Sequence, residues 1–220
     1  SRFRIVLAEK SGSASVSRNC GIENASGAFL LFLDADDCLE PDALQGFSDL
    51  LAEKGEADVV AGAARAVQEQ PDDSLRPCGL VRQGTPGASF APGAAFLRSI
   101  DFIGYWIPAT WMNLYRTDLL RSNRLYQAPG RLHQDDDWTY RVFLKAGRVL
   151  VAPFPHYMNR RNPNSVTHSL DLKTLRDRAE NAKDACAFFR RGDFPQDFRK
   201  TLARYFCWNF FWPYFLARKY

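Results

Sequence analysis

The sequence predicts an α/β domain built on a mainly parallel sheet flanked by helices, and three observations predict it. An apolar run, Phe29-Leu30-Leu31-Phe32-Leu33, leads straight into Asp34-Ala35-Asp36-Asp37, which reads as a buried strand ending in acids. Segments of strand character alternate with helix-forming segments, several of them stopped by glycine. Hydrophobic residues make up 46% and charged residues 25% of the 220, which supports a packed domain with room for an extension and excludes a disordered chain.

The elements are expected in this order. Residues 4–8 form a short apolar strand, and 11–13 a loop of capping residues. Residues 15–25 form a helix stopped by Gly27. The strand at 29–33 follows. Glu40-Pro41-Asp42 opens a second helix, with proline and acids suited to its positive end. Leu44, Phe47, Leu50 and Leu51 form its apolar stripe, and Gly55 ends it. Residues 58–61 are a strand. Residues 68–95 are crowded with proline and glycine and read as a long irregular loop or a small hairpin, a segment type that often carries substrate contacts. Residues 111–120 form a strand leading into a short helix. Residues 138–146 form a helix ended by Gly147, 149–151 a strand, and 160–169 a polar loop. Leu175, Ala179, Ala182, Cys186 and Phe189 recur at steps of four and three, an amphipathic helix. Residues 202–220 are an aromatic segment flanked by Arg204, Arg218 and Lys219. It reads either as a core or subunit-contact helix, with a homodimer as its consequence, or as an interfacial helix that makes peripheral membrane contact. The expected division is a domain over 1–169 and a helical aromatic extension over 170–220.

Composition excludes several classes. The net charge of +4 suits a polyanionic substrate or an anionic surface, but no basic run with interleaved aromatics marks a nucleic-acid partner. Cys20, Cys38, Cys78, Cys186 and Cys207 are odd in number and form no CxxC pair, against a disulfide framework or a zinc site and in favour of a reducing compartment. The opening residues do not read as a signal peptide. No uncharged apolar run reaches the roughly 18 residues of a membrane span. The expected location is cytoplasmic, or peripheral on the inner face of the cell membrane.

Three clusters carry chemistry. Asp34, Asp36 and Asp37 crowd three carboxylates beyond a strand, where α/β sheets place ligands. Close carboxylates repel, so the cluster favours a cation, and hard divalent ions held by one or two carboxylates while gripping a diphosphate are the usual case. The plainer alternative is a turn and helix cap. His133-Gln134-Asp135-Asp136-Asp137 precedes a helix and reads either as an N-terminal cap or as the home of a general base. Arg18, beside Ser17 and Asn19, is a permanently charged fork suited to phosphate oxygens, or else a solvated surface group.

The stretch ASVSRNCGIENASGAFLLFLDADDCLEPDAL closely resembles the donor-binding half of family 2 glycosyltransferases of the GT-A fold, with its Arg-Asn pair, Ala-x-Gly step, apolar strand, DxD and following proline. WMNLYRTDLL resembles the acceptor-side strand and helix of that family, HQDDDWTYRVF its xED segment, and RRNPNSVTHS its Ser-x-Thr loop. The four together cover residues 12 to about 169. The resemblance implies a GT-A-like, Rossmann-related fold and transfer of a sugar, with inversion, from a nucleotide-diphospho-sugar donor to a glycan or lipid-linked acceptor of the bacterial cell envelope. It implies that Arg18, Asn19, Asp34 and Asp36 bind the donor, that Asp36, with Asp34, holds Mn²⁺ or Mg²⁺, and that Asp135 deprotonates the acceptor. Gln134 stands where the family commonly has Glu. A slip of one would make Asp136 the base, but an aromatic three positions after the base favours Asp135, since Trp138 fits. Family members begin with further strands and an Asp-rich loop that holds the base of the nucleotide. This chain starts after that point, so by itself it is expected to be inactive or very weak.

Two other readings are weighed. A phosphohydrolase of the haloacid dehalogenase type also places DxD after an apolar strand, but Cys38 stands where Thr or Val is usual and residues 55–130 contain no lysine. A non-catalytic carbohydrate-binding remnant of a transferase is the other.

Overall fold

The computed structural model describes residues 4–7, 12–82, 84–100, 108–161, 171–192, 199–200 and 203. Two mixed sheets are flanked by helices. The first sheet contains β1 (Phe29–Leu31), β3 (Val59–Ala61), β6 (Ser89–Phe90), β7 (Asn113–Arg116) and β8 (Val149–Val151), in the order β1-β7-β3-β8-β6. The second contains β2 (Cys38–Leu39), β4 (Ala63–Glu69), β5 (Leu75–Arg82) and β9 (Tyr157–Arg160), in the order β2-β9-β4-β5. The helices are α1 (Ala14–Asn24), α2 (Ala43–Lys54), α3 (Gly93–Ser99), α4 (Thr117–Ser122), α5 (Asp135–Lys145) and α6 (Leu172–Arg191).

The expected α/β class is present, but strand direction differs from a mainly parallel sheet. Among the described strands, β3–β8 and β4–β9 are parallel and the other pairs antiparallel. In the first sheet β7 inserts between β1 and β3 and runs against both, and β6–β8, β2–β9 and β4–β5 are antiparallel as well. The expected strand at 4–8 is not formed where it is described: residues 4–7 have no regular structure. The expected loop or hairpin at 68–95 is largely hairpin β4–β5, followed by β6 and by α3, which the sequence reading did not anticipate. Pro77 lies on β5, at the end of the sheet order, where a missing N–H is tolerated, and the register shifts at its partner Val67. Of the Ser-x-Thr loop expected at 160–169, residues 162–169 lie outside the described residues, as does the aromatic segment at 202–220 apart from residue 203; Arg160 closes β9.

Apolar alternation decides which faces meet. Trp138, Tyr115, Phe143, Phe96 and Ile22 are fully buried in one cluster, with Phe32 packed edge-on against both Tyr115 and Trp138. Burial of each such side chain contributes roughly 1.5–3 kcal/mol. The Trp138 indole N–H donates to the Leu125 carbonyl at 2.7 Å, satisfying its polar edge. Phe47 and Leu50 of α2 pack with Val60, Leu114 and Leu150 in a second cluster. Gly55 ends α2 at φ +81, where a side chain would be strained, and its N–H returns to the Leu51 carbonyl. Cys20, Cys38, Cys78 and Cys186 are free thiols.

Candidate active site

Three elements converge on one ion-paired group. The chain leaves β1 at Leu31 and reaches Asp34; α1 presents Arg18; α5 begins at Asp135. The Arg18 guanidinium donates to Asp34 Oδ1 at 2.7 Å and to Asp135 Oδ1 at 3.1 Å. Asp34 and Asp135, remote from each other along the chain, thus share one cation. Arg18 keeps only 12% side-chain exposure. Burial opposes its charge, but Asp135 and Asp34 outweigh burial and raise its pKa.

Helix α1 is held in place at its far end. Arg121 of α4 donates to the carbonyls of Ile22, Glu23 and Ala25, a cation at the negative end of a helix. Asn19 does not join the carboxylates. Its amide donates to the Gln127 carbonyl at 2.8 Å and its oxygen accepts the Gln127 N–H at 2.9 Å.

The aspartates after β1 have three separate fates. Asp34 pairs with Arg18. Asp37 accepts from the Tyr157 hydroxyl at 2.9 Å, the Arg160 N–H at 2.7 Å and the Asn159 amide at 3.1 Å, which ties the loop to β9. Tyr157 also accepts the Asp34 N–H at 3.1 Å. Asp36 is exposed, and no described side chain is bonded to it. Among the described residues no group of three or more histidine, cysteine or acidic side chains could hold a metal by itself. The free Asp36 carboxylate, with Asp34 already neutralised, still fits a hard divalent ion that takes its remaining ligands from phosphate and water, the usual habit of Mg²⁺.

The acids expected as a cap before a helix form the first turn of α5. Asp135 Oδ2 accepts the Thr110 N–H at 2.9 Å. Burial raises its pKa, while Arg18 and the Thr110 bonds pull against that rise. Asp136 faces α6, with Arg178 at 3.7 Å, and burial pushes it up to about 7. Asp137 pairs with Arg141 at 2.9 Å. Arg18, Asp34 and Asp135 are therefore together, while Asp136 is turned to another element. Thr110, Gln127 and Tyr157 were not found from the sequence, since each enters through a contact remote along the chain.

A cleft of about 460 Å³ lined by Glu40, Asp42, Asp49, Arg65 and Phe154 contains none of these groups. Among the described residues, no helix is long and apolar enough to cross a membrane.

The chain resembles known proteins in sequence and in fold. The chain is 30% identical over 152 residues to the uncharacterized glycosyltransferase YibD of Escherichia coli K12, covering 66% of this chain and 41% of that protein. It is 26% identical over 204 residues to the putative glycosyltransferase EpsH of Bacillus subtilis 168, covering 91% of this chain and 57% of that one. It spans about half the length of the curated relatives it matches. The crystal structure of Staphylococcus aureus TarS 1–349 superposes with a TM-score of 0.69 over 93% of this chain and 54% of that one, at 19% identity. That protein has also been crystallised with UDP and with UDP-GlcNAc. Residues 1–120 match the family described as Glycosyl transferase family 2, which includes the α1 arginine and the acids after β1. With more than half its length inside that match, the chain belongs to glycosyl transferase family 2.

Proposed function

We propose that this chain carries the catalytic centre of an inverting glycosyltransferase that uses a nucleotide-diphospho-sugar donor of the uridine type and a hydroxyl of a glycan or lipid-linked acceptor. The observation that supports it most is the Arg18 bridge, which joins the acid following β1 to the acid opening α5 in one half-buried site. The TarS complexes with UDP and UDP-GlcNAc favour the uridine donor. TarS itself is named a poly(ribitol-phosphate) β-N-acetylglucosaminyltransferase, which favours an envelope polymer as acceptor.

In this reading Asp135 takes the proton of the acceptor hydroxyl as its oxygen bonds to the anomeric carbon. The bond from that carbon to the donor diphosphate breaks, and its electron pair leaves with the nucleoside diphosphate. A raised pKa makes Asp135 a better proton acceptor near neutrality. Asp136 is the weaker candidate, because it faces Arg178 and α6. Arg18 places fixed positive charge beside the donor side of the site, where negative charge develops. Asp36, with Asp34 beside it, would hold a Mg²⁺ or Mn²⁺ ion, which supplies charge stabilisation to the departing diphosphate.

The test uses the full-length protein and a panel of nucleotide-sugars, following nucleoside diphosphate release. Asp135→Asn should lower kcat by about 10²-fold or more with UDP affinity retained. Asp36→Asn should remove metal-dependent UDP binding seen by calorimetry. Wild-type turnover in Asp135→Asn would overturn the assignment of the base.

A further inference from the structure

We infer that Thr110, Gln127 and Asn19 form a buried hydrogen-bond relay that positions Asp135, making the first two positioning residues of the reaction and giving Asn19 a structural task in the same relay. This rests on the reading of Asp135 as the base.

The relay is continuous. Asn19 clasps the backbone of Gln127 by two hydrogen bonds, at 2.8 and 2.9 Å. The Gln127 side-chain amide donates to the Thr110 hydroxyl oxygen at 2.7 Å. The Thr110 backbone N–H donates to Asp135 Oδ2 at 2.9 Å, and the Thr110 side chain also pulls the pKa of that carboxylate down. The Thr110 carbonyl is pinned in turn by the Tyr115 hydroxyl at 3.0 Å, itself held by the Asn113 amide at 2.9 Å. Thr110, Asn113 and Tyr115 are fully buried, and Gln127 is 1% exposed.

Donor and acceptor counting gives the relay a direction. A glutamine nitrogen is a donor only. Because it uses one lone pair of the Thr110 oxygen, the Thr110 proton stays free to donate, and we assign the Asp135 carboxylate as its acceptor. In this assignment Thr110 presents two donors to the carboxylate, and Arg18 a third at its other oxygen. Donors to a carboxylate favour its ionised form, so the relay holds down the proton affinity that burial raises. It also fixes which oxygen of Asp135 is spent on the scaffold: Oδ2 is tied to Thr110, and Oδ1 faces Arg18. The charged and titratable groups around Asp135 are Arg18 from α1, Asp34 after β1, Tyr115 from β7 and Asp136 beside it. The arginine-asparagine pair on α1 thus reaches the base by two routes, directly through Arg18 and through Gln127 and Thr110 from Asn19.

The reaction's pH profile tests this. A base must be deprotonated to act, so the acid limb of kcat follows the pKa of Asp135. Thr110→Val keeps shape and removes the hydroxyl donor. Gln127→Glu turns the Thr110 proton away, since a carboxylate accepts. Both should shift the acid limb upward by about one pH unit, so that kcat at a pH on that limb falls roughly tenfold, with UDP affinity unchanged. Thr110→Ser keeps both donors and should restore the wild-type limb. A melting curve on each variant checks that it is folded. If wild type has an acid limb and Asp135→Asn is inactive, yet neither variant moves the limb, the relay is refuted and the base stands. If Asp135→Asn remains active, the base reading itself has failed.

Discussion

Asp36 and Asp37 are chemically identical neighbours with opposite tasks, and only their partners separate them. Asp37 has three donors, one of them the backbone N–H of Arg160, and it fastens the loop after β1 to β9. Asp36 is exposed and has no described partner. Truncating Asp37 leaves a hydroxyl, an amide and a peptide N–H without their acceptor in a half-buried place. Asp37→Ala should therefore cost about 2–3 kcal/mol, read as a lower urea midpoint at unchanged slope. Asp36→Ala should stay within about 0.5 kcal/mol while removing donor affinity. Equal losses in the two variants would contradict this division. In the sequence the three acids read as one cluster in need of a cation. Arg18 and the donors around Asp37 already offset two of them, which leaves at most one free carboxylate for an ion.

The first turn of α5 shows how an element is tied into the fold by charge. Its three aspartates face three different arginines: Arg18 from α1, Arg178 from α6 and Arg141 one turn along α5 itself. The acids and their place at a helix start were legible, because Asp135-Asp136-Asp137 sits directly before Trp138 and an apolar face. The arginines were not. Arg18 lies 117 residues from Asp135, and periodicity carries no information across that distance. Arg141, at helical spacing from Asp137, was the one partner the sequence could have supplied. The Arg178 pair makes a testable prediction about α6. Asn181 of α6 donates to the Leu132 and His133 carbonyls, so the helix is docked on the α5 entry. Burial pushes Asp136 up to about 7, and Arg178 opposes that rise. Arg178→Met removes the cation that stabilises the ionised form. Above pH 8, where wild-type Asp136 is charged, the variant should lose about 1–3 kcal/mol. Below pH 6 Asp136 is protonated in both proteins, and the difference should shrink. A pH-independent loss would mean that packing, not the ion pair, holds α6.

At the scale of the molecule the α/β class was legible from the apolar run at Phe29 and from the glycines that end helices, but strand direction was not. Direction depends on pairings set by tertiary contact, such as β7 entering between β1 and β3 and β6 running against β8. The second sheet then brings β9 beside the site, and β9 is preceded by a buried histidine. His156 is fully buried against Gly62, where a Cβ would meet its ring at 2.2 Å. Burial lowers its pKa to about 4, and burial with Arg178 lowers that of His133 to about 4. The ordinary value in the unfolded chain is near 6.5. Between pH 6.5 and 4 the unfolded chain therefore binds more protons at these histidines than the folded protein does. Their contribution to stability is present above pH 6.5 and lost as pH falls toward 4, at up to about 1.4 kcal/mol per pH unit for each ring. The raised aspartates of α5 act with the opposite sign, because in that window the folded state binds their protons first. The net slope is thus a contest between two histidines and one helix turn. His156→Phe isolates one contestant: it removes a titrating ring, keeps an aromatic in the space beside Gly62, and leaves α5 untouched. Relative to wild type, its urea stability should rise less steeply between pH 4 and 6.5, by about 1.4 kcal/mol per pH unit at most. Parallel profiles would mean that His156 titrates alike in both states and that its burial is not what sets acid stability.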